Sequence, residues 1–177
     1  MKRSIFILVC IFFLTGLIAL SPPESPEKAI RKNFPSSDIE VKNFLLSPEQ
    51  KRKVELLSQV KVEDNLISFY VIKEKGLEVA FGYVDVHVVR THHEAVLYLI
   101  GTDARILNIQ VLSFKEPAEY LPGPKWLSLF QDKNLKQNKL KLRDDISAIS
   151  GATLSARAVT NHCRKALALW QVLFDGE

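Results

Sequence analysis

Cysteine is almost missing from this chain: there are two among 177 residues, and one of them, Cys10, falls inside the apolar opening run. Cys163 therefore stands alone in the remainder, which excludes an internal disulfide there and leaves the fold to stand on its hydrophobic core. Clustered charge of one sign is missing as well. The formal net charge is +4, Lys2 and Arg3 supply two of those charges, and no basic run is interleaved with aromatics. So mild and dispersed a charge argues against a nucleic-acid partner, which wants a clustered basic face. No internal repeat is visible. Nor do the histidines make a ligand set: His87 and His93 share a strand face, but no second cysteine or carboxylate pair completes the site. The sequence therefore predicts solvated histidines at His87, His92 and His93, and no metal. His162 and Cys163 are neighbours on a helix and diverge, which argues against a Cys–His nucleophile pair and makes Cys163 a small core residue.

What is present reads as one folded domain: 47% of the residues are hydrophobic and 25% charged, ordinary values for a globular chain of this length. The opening MKRSIFILVCIFFLTGLIALSPPESPE carries two positive charges and then an apolar body of 16 residues from Ile5 to Leu20. That length falls between a signal-peptide core and a spanning helix, and the charge placement sends the rest outward. Residues 1–20 are expected to be a cleaved signal peptide or a membrane anchor, with the folded part periplasmic or on the outer face of the cytoplasmic membrane. Val9 stands where a lipobox wants a small residue before Cys10, which argues against lipidation. Residues 21–38 hold four prolines and read as a linker with one short helical turn inside it, and 39–177 as the domain.

Within that domain IEVKNFLL reads as a short strand, and Ser47-Pro48-Glu49-Gln50 as a helix start with a hydroxyl cap and an early proline. Four strands follow in LISFYVIKE, LEVAFGYVDVHVVR, EAVLYLI and RILNIQVLSF, all rich in β-branched and aromatic residues. On the second of these, Tyr83, Asp85, His87 and Val89 share one face; Val84, Val86 and Val88 share the other and are expected to point to the core. A proline-rich loop, KEPAEYLPGPKW, leads to a short helix over 124–130 and then to the lysine-rich QDKNLKQNKLKLRDD. A helix over 153–174 closes the chain, with Leu154, Ala158, Ala166 and Trp170 on an apolar stripe. The order predicts an α+β fold, an antiparallel sheet flanked by helices.

The segment ISAISGATLSARAVT carries the chemistry. Ser150, Gly151, Ala152 and Thr153 are small, and Gly151 lets backbone approach a partner closely. Thr153 falls in the first turn of the last helix, where unpaired N–H groups and the helix dipole favour an anion such as a phosphate. Arg157 lies on the same helix face and can add a charge-assisted contact. The plainer alternative is a helix cap with no further role.

SGAT followed by Leu154 and the hydroxyl residue Ser155 resembles the attachment motif of the FMN-binding domain family, which includes the covalent-flavin subunits of the sodium-pumping NADH:quinone reductase and of the Rnf complex. The hairpin GTDARILNIQVLSF and the block EPAEYLPGPKWLSLFQDK are also similar to that family, over roughly residues 76–174. Relatives often carry an acidic residue where this chain has Ser147, and threonine then serine where it has Ser155 and Ala156. The resemblance implies that a flavin transferase joins FMN to Thr153 through a phosphoester. It also implies that the protein is an electron carrier, without a catalytic acid or base, between membrane or periplasmic redox proteins. For the ring's cradle the loop offers Tyr120, Leu121 and Trp126, with Glu116 and Glu119 as polar contacts; the alternative is a loop pinned to the surface by its own aromatics. Two other functions stay open: a cofactor-free exported binding module, and an FMN-dependent reductase of a small molecule.

Overall fold

The computed structural model describes residues 24–175. Residues 1–20, expected to be a signal peptide or anchor, lie outside the described residues together with Cys10, and among the described residues no helix is long and apolar enough to cross a membrane. Five strands form one antiparallel meander in the order β1-β2-β3-β4-β5: Asp38–Leu45, Leu66–Glu74, Leu77–Val88, His93–Gly101 and Ile106–Phe114. Helix α1 (Pro26–Asn33) precedes β1, α2 (Pro48–Ser58) follows it, α3 (Pro124–Leu127) follows β5, and α4 (Thr153–Phe174) ends the described chain. The sheet and its helices make the α+β architecture that the order of elements predicts.

Local chemistry sets most boundaries. Ser47 and Gln50 close a capping box at the start of α2, with bonds of 3.1 Å from Gln50 N to Ser47 Oγ and 2.9 Å from Ser47 N to Gln50 Oε1. At the β4–β5 hairpin Ala104 takes a positive φ of 62°, and Gly101 N donates to Arg105 O at 2.8 Å.

Two cores lie on opposite faces of the sheet. The larger packs Phe69, Phe81, Tyr83, Val96 and Tyr98 against α2 and α4, whose Val159, Cys163, Leu167 and Trp170 are buried. Tyr98 Oη donates to Val159 O at 3.3 Å and pins α4 across β4. The smaller core seats Ala29 and Ile30 of α1 on Ile72, Ala80, Leu97 and Leu99. Gly82 makes that approach possible, since a Cβ there would stand 3.3 Å from Ile30, Leu97 and Tyr70.

Three expectations need correction. The short helical turn expected inside 21–38 is a capped helix of 8 residues, α1, and it is packed on the sheet with Ala29 and Ile30 fully buried. The prolines that suggested a linker start and flank it, Pro26 within its first turn. On β3, Val84 packs against the smaller core as expected, but Val86 and Val88 are 61% and 53% exposed, while Tyr83, Asp85 and His87 go inward to the larger core. Strand alternation binds Asp85 and His87 to the face of Phe81 and Tyr83, whose rings fill the deep layer under α4. The thin side beneath the eight-residue α1 takes Ala80 and Gly82 and does not reach Val86. On α4, Ala166 and Trp170 of the expected stripe are buried, but Leu154 is exposed, and the stripe continues instead through Ser155, Ala156, Val159 and Cys163.

Candidate functional site

Helix α4 begins without a cap. Its N-cap residue is Ala152, no side chain caps the turn, and Gly151 before it holds a left-handed φ of 79°, open to glycine at little cost. The N–H groups of Thr153, Leu154 and Ser155 therefore find no acceptor within the helix, and the dipole adds partial positive charge at the same point. Thr153 occupies the first helical position, so the plain capping role does not apply to it.

Thr153 sits between two cavities. A recess of about 100 Å³ is lined by Arg90, Tyr120, Gly151, Ala152, Thr153, Leu154 and Ser155. Inside it Ser155 is 1% exposed and its Oγ has no hydrogen-bond partner. Such an orphan costs about 1–3 kcal/mol, and a bound acceptor would relieve it. On the other side a groove of about 750 Å³ is walled by Lys136, Lys139, Lys141, Arg143, Arg157 and Arg164, with Thr153 at its edge. That volume lies in the range of small-molecule sites, roughly 300–1,000 Å³, whereas the recess suits a group no larger than a phosphate.

The walls are braced from several elements. Arg164 donates from Nε to Ser58 O at 2.8 Å, from Nη1 to Leu140 O at 2.7 Å and from Nη2 to Asn161 Oδ1 at 2.9 Å, joining α2, the lysine-rich segment and α4. Asp145 accepts from the N–H groups of Leu140 and Lys141 at 2.9 and 2.7 Å and folds that segment back on itself. Trp126 Nε1 donates to Ser147 O at 2.7 Å and its ring meets Phe130 edge-on at 5.2 Å, so it anchors the segment that leads into Ser150.

The candidate ring contacts separate. Tyr120 lines the recess, with the Arg90 guanidinium 4.4 Å above its ring. Leu121, 42% exposed, opens instead onto an apolar cleft of about 360 Å³ against β5. Trp126 lines none of these cavities and follows the pinning alternative. Glu119 is exposed on the loop. Glu116 is committed elsewhere. Its Oε1 accepts from Thr91 N at 2.7 Å, His92 N at 2.9 Å and Arg90 N at 3.3 Å. Those bonds hold its carboxyl down to about 2. Glu116 thus acts through the β3–β4 turn, setting the backbone that carries Arg90. Ser150 is exposed at the mouth of the turn.

A second constellation lies under the middle of α4. Asp85 and His87 from β3, Glu94 from β4, and His162 and Lys165 from α4 converge. His87 Nδ1 lies 3.1 Å and His162 Nδ1 2.9 Å from Asp85 Oδ1; Lys165 Nζ contacts Asp85 Oδ2, and His87 Nε2 lies 3.2 Å from Glu94 Oε2. Burial opposes the charge on Asp85, but the close approach of His162, the hydrogen bond with His87 and the Lys165 charge outweigh it and hold the carboxyl well below its usual range. Burial also opposes charge on His87, yet Asp85 and Glu94 together raise it. For His162 burial prevails over Asp85 and lowers it. The solvated state expected of the histidines holds for His92 and His93, which are exposed, and not for His87, which is 8% exposed.

Residues 92–168 match the FMN-binding domain family. The segment begins in the β3–β4 turn and ends within α4, so it contains the Glu116 loop, the lysine-rich wall and Thr153. That segment is thus similar to an FMN-binding domain, and the match supports FMN as a cofactor. No curated protein matches the chain. Beyond the residues expected from sequence, the structure adds Arg90, Lys136, Lys139, Lys141, Arg143 and Arg164 to the site. The signal for four of them was the lysine-rich run just before SGAT; nothing local pointed to Arg90 or Arg164.

Proposed function

We propose that this protein is an exported electron-transfer flavoprotein, with FMN esterified through its phosphate to the Thr153 hydroxyl by a flavin transferase. It relays electrons between membrane or periplasmic redox partners. The observation that carries this reading is the uncapped first turn of α4. There a partly exposed threonine hydroxyl stands between a cationic groove and a recess holding the partnerless Ser155 hydroxyl.

These residues fit the group. The free N–H groups of the first turn and the Ser155 hydroxyl donate toward phosphate oxygens, and Arg157 neutralises charge from the adjoining turn. The lysines and arginines of the groove add a positive field over the rest of the nucleotide. Tyr120, steadied by Arg90, presents an aromatic wall beside Thr153. FMN, when bound, supplies one- and two-electron transfer. The chain's own task is to hold it, orient it and keep its charge neutralised, which needs no catalytic acid or base. Outside the cytoplasm free flavin is scarce, and a covalent link keeps the cofactor from being lost.

Intact-mass measurement on the full chain co-produced with a flavin transferase tests this. Wild type should gain the mass of one FMN less one water and stay yellow after denaturation; Thr153→Ala should keep the bare polypeptide mass. A wild type at bare mass under those conditions ends the proposal in favour of a binding module. Flavin released on denaturation favours a reductase or a loose holder instead.

A further inference from the structure

The cluster beneath the middle of α4 is separate from the flavin groove: it uses His162 and Lys165, while the groove uses Thr153, Arg157 and Arg164. We propose that Asp85, His87 and His162 form a binding site for one borderline divalent metal ion such as Zn²⁺, held by two imidazole nitrogens and one carboxylate oxygen, with a fourth position open to a solvent groove.

The geometry has the pattern such an ion requires. Ligand atoms from the three residues all lie within 4.8 Å of one another. Both Nδ1 atoms approach the same oxygen, Asp85 Oδ1, at 3.1 and 2.9 Å. Ligand atoms around a tetrahedral ion, each about 2.0–2.1 Å from it, sit roughly 3.3 Å apart, so only small side-chain shifts separate this arrangement from a bound one. The two rings stack at 3.8 Å with 6° between their planes, a placement unfavourable to two imidazolium charges and suited to the neutral rings that ligate metals.

The surroundings supply what a metal site needs beyond its ligands. His87 turns its other nitrogen, Nε2, to Glu94 Oε2 at 3.2 Å, and Glu94 is fully buried. A carboxylate behind a ligating histidine fixes the ring and its tautomer. Lys165 occupies Asp85 Oδ2 and leaves Oδ1 to the ion. A self-sufficient ion-pair network would spend its polar atoms on one another. Here His162 Nδ1, although 2.9 Å from Asp85 Oδ1, is buried and makes no properly oriented hydrogen bond, and Glu94 Oε1 has no partner either. On the open side a groove of about 400 Å³, whose charged lining is Lys61, Glu63, Asp64 and Lys165, reaches His87 and His162, which offers room for water as fourth ligand.

Asp85 and His87 precede the family match, and Glu94, His162 and Lys165 lie inside it. The site therefore joins the matched segment to β3.

The test is zinc stoichiometry on the full chain, stripped with a chelator, dialysed against Zn²⁺ and analysed for metal. Wild type should hold one ion per chain, His162→Gln should hold none, and Glu94→Gln should bind about 10–100-fold more weakly. His92→Gln, on the exposed turn, should match wild type. A wild type that retains no zinc, or a His162→Gln that binds as tightly as wild type, overturns the site. Should His162→Gln fail to fold, imidazole nitrogen spectra of wild type decide. Zinc should move the His87 and His162 signals, and movement confined to His92 and His93 overturns the proposal. Flavin loading does not enter either readout, so the outcome is independent of Thr153.

Discussion

At its start, α4 makes a cationic recess from backbone N–H groups, small residues and the hydroxyls of Thr153 and Ser155; further along, the same helix brings His162 and Lys165 down onto a carboxylate of β3. The first region is local. Ser150 to Arg157 are contiguous, and their character follows from where a helix begins. The second is assembled from three elements whose members are neighbours only because the sheet and helix pack. The first keeps Thr153 partly exposed, whereas Asp85 is 1% exposed. The difference teaches what each region contributes: the exposed end can change chemistry with little effect on folding, while the buried cluster ties charge balance to the stability of the fold.

The sharpest way to break this contrast is to compare Asp85→Ala with Thr153→Ala in urea unfolding. Asp85→Ala strands Lys165 and two imidazoles beside an apolar methyl, and removing one member of a buried ion pair costs about 3–5 kcal/mol. Thr153→Ala should move stability by less than about 0.5 kcal/mol, as surface changes do. Equal losses would mean that the two regions are not energetically distinct.

Arg164 lies between the two regions, and Arg164→Ala should cost about 1.5–3 kcal/mol, since three charge-assisted bonds tie α2, the lysine-rich segment and α4. Its second consequence is specific. The groove wall should loosen, so that amide exchange accelerates around Leu140, while the signals of His87 and His162 stay unchanged.

Acid should act on the Glu116 anchor. The Glu116 carboxyl is lowered from 4.5 to about 2 in the folded chain, so the unfolded state binds its proton first as pH falls. The stabilisation it brings is complete above about 4.5 and is lost as pH drops toward about 2. Amide exchange at Arg90, Thr91 and His92 should rise across that window, and Glu116→Gln should flatten the dependence. A turn whose exchange is indifferent to pH there would show that Glu116 does not hold it.

The smallest effect is expected at Ser155. Ser155→Ala removes a buried hydroxyl that has no partner, so the flavin-free protein should be unchanged or up to about 1 kcal/mol more stable. The same substitution should slow flavin attachment when transferase is present, measured as yellow protein formed over time. A clear loss of stability would show that the hydroxyl is already satisfied without a ligand.

Legibility followed locality. Helix α4 runs over 153–174 as its periodicity predicts, and β2 spans the LISFYVIKE run. Trp126 and Glu116 were visible as loop residues near the motif, but their partners, Ser147 and the 90–92 turn, are distant in sequence and came only with the fold. Val86 and Val88 of β3 misled because a strand's two faces are equally periodic. Phe81 and Tyr83, by filling the deep layer, decided which face went inward.

By itself, the sequence determined that a small-residue turn with a threonine opens the last helix, and that this helix closes an antiparallel α+β domain. Capping, periodicity and alternation act over a few residues and can be read directly. The tertiary structure alone decided that scattered lysines and arginines wall one groove, and that Asp85 and His87 are buried under His162. Such gatherings depend on which faces pack, and packing is settled by volumes and contacts far apart along the chain.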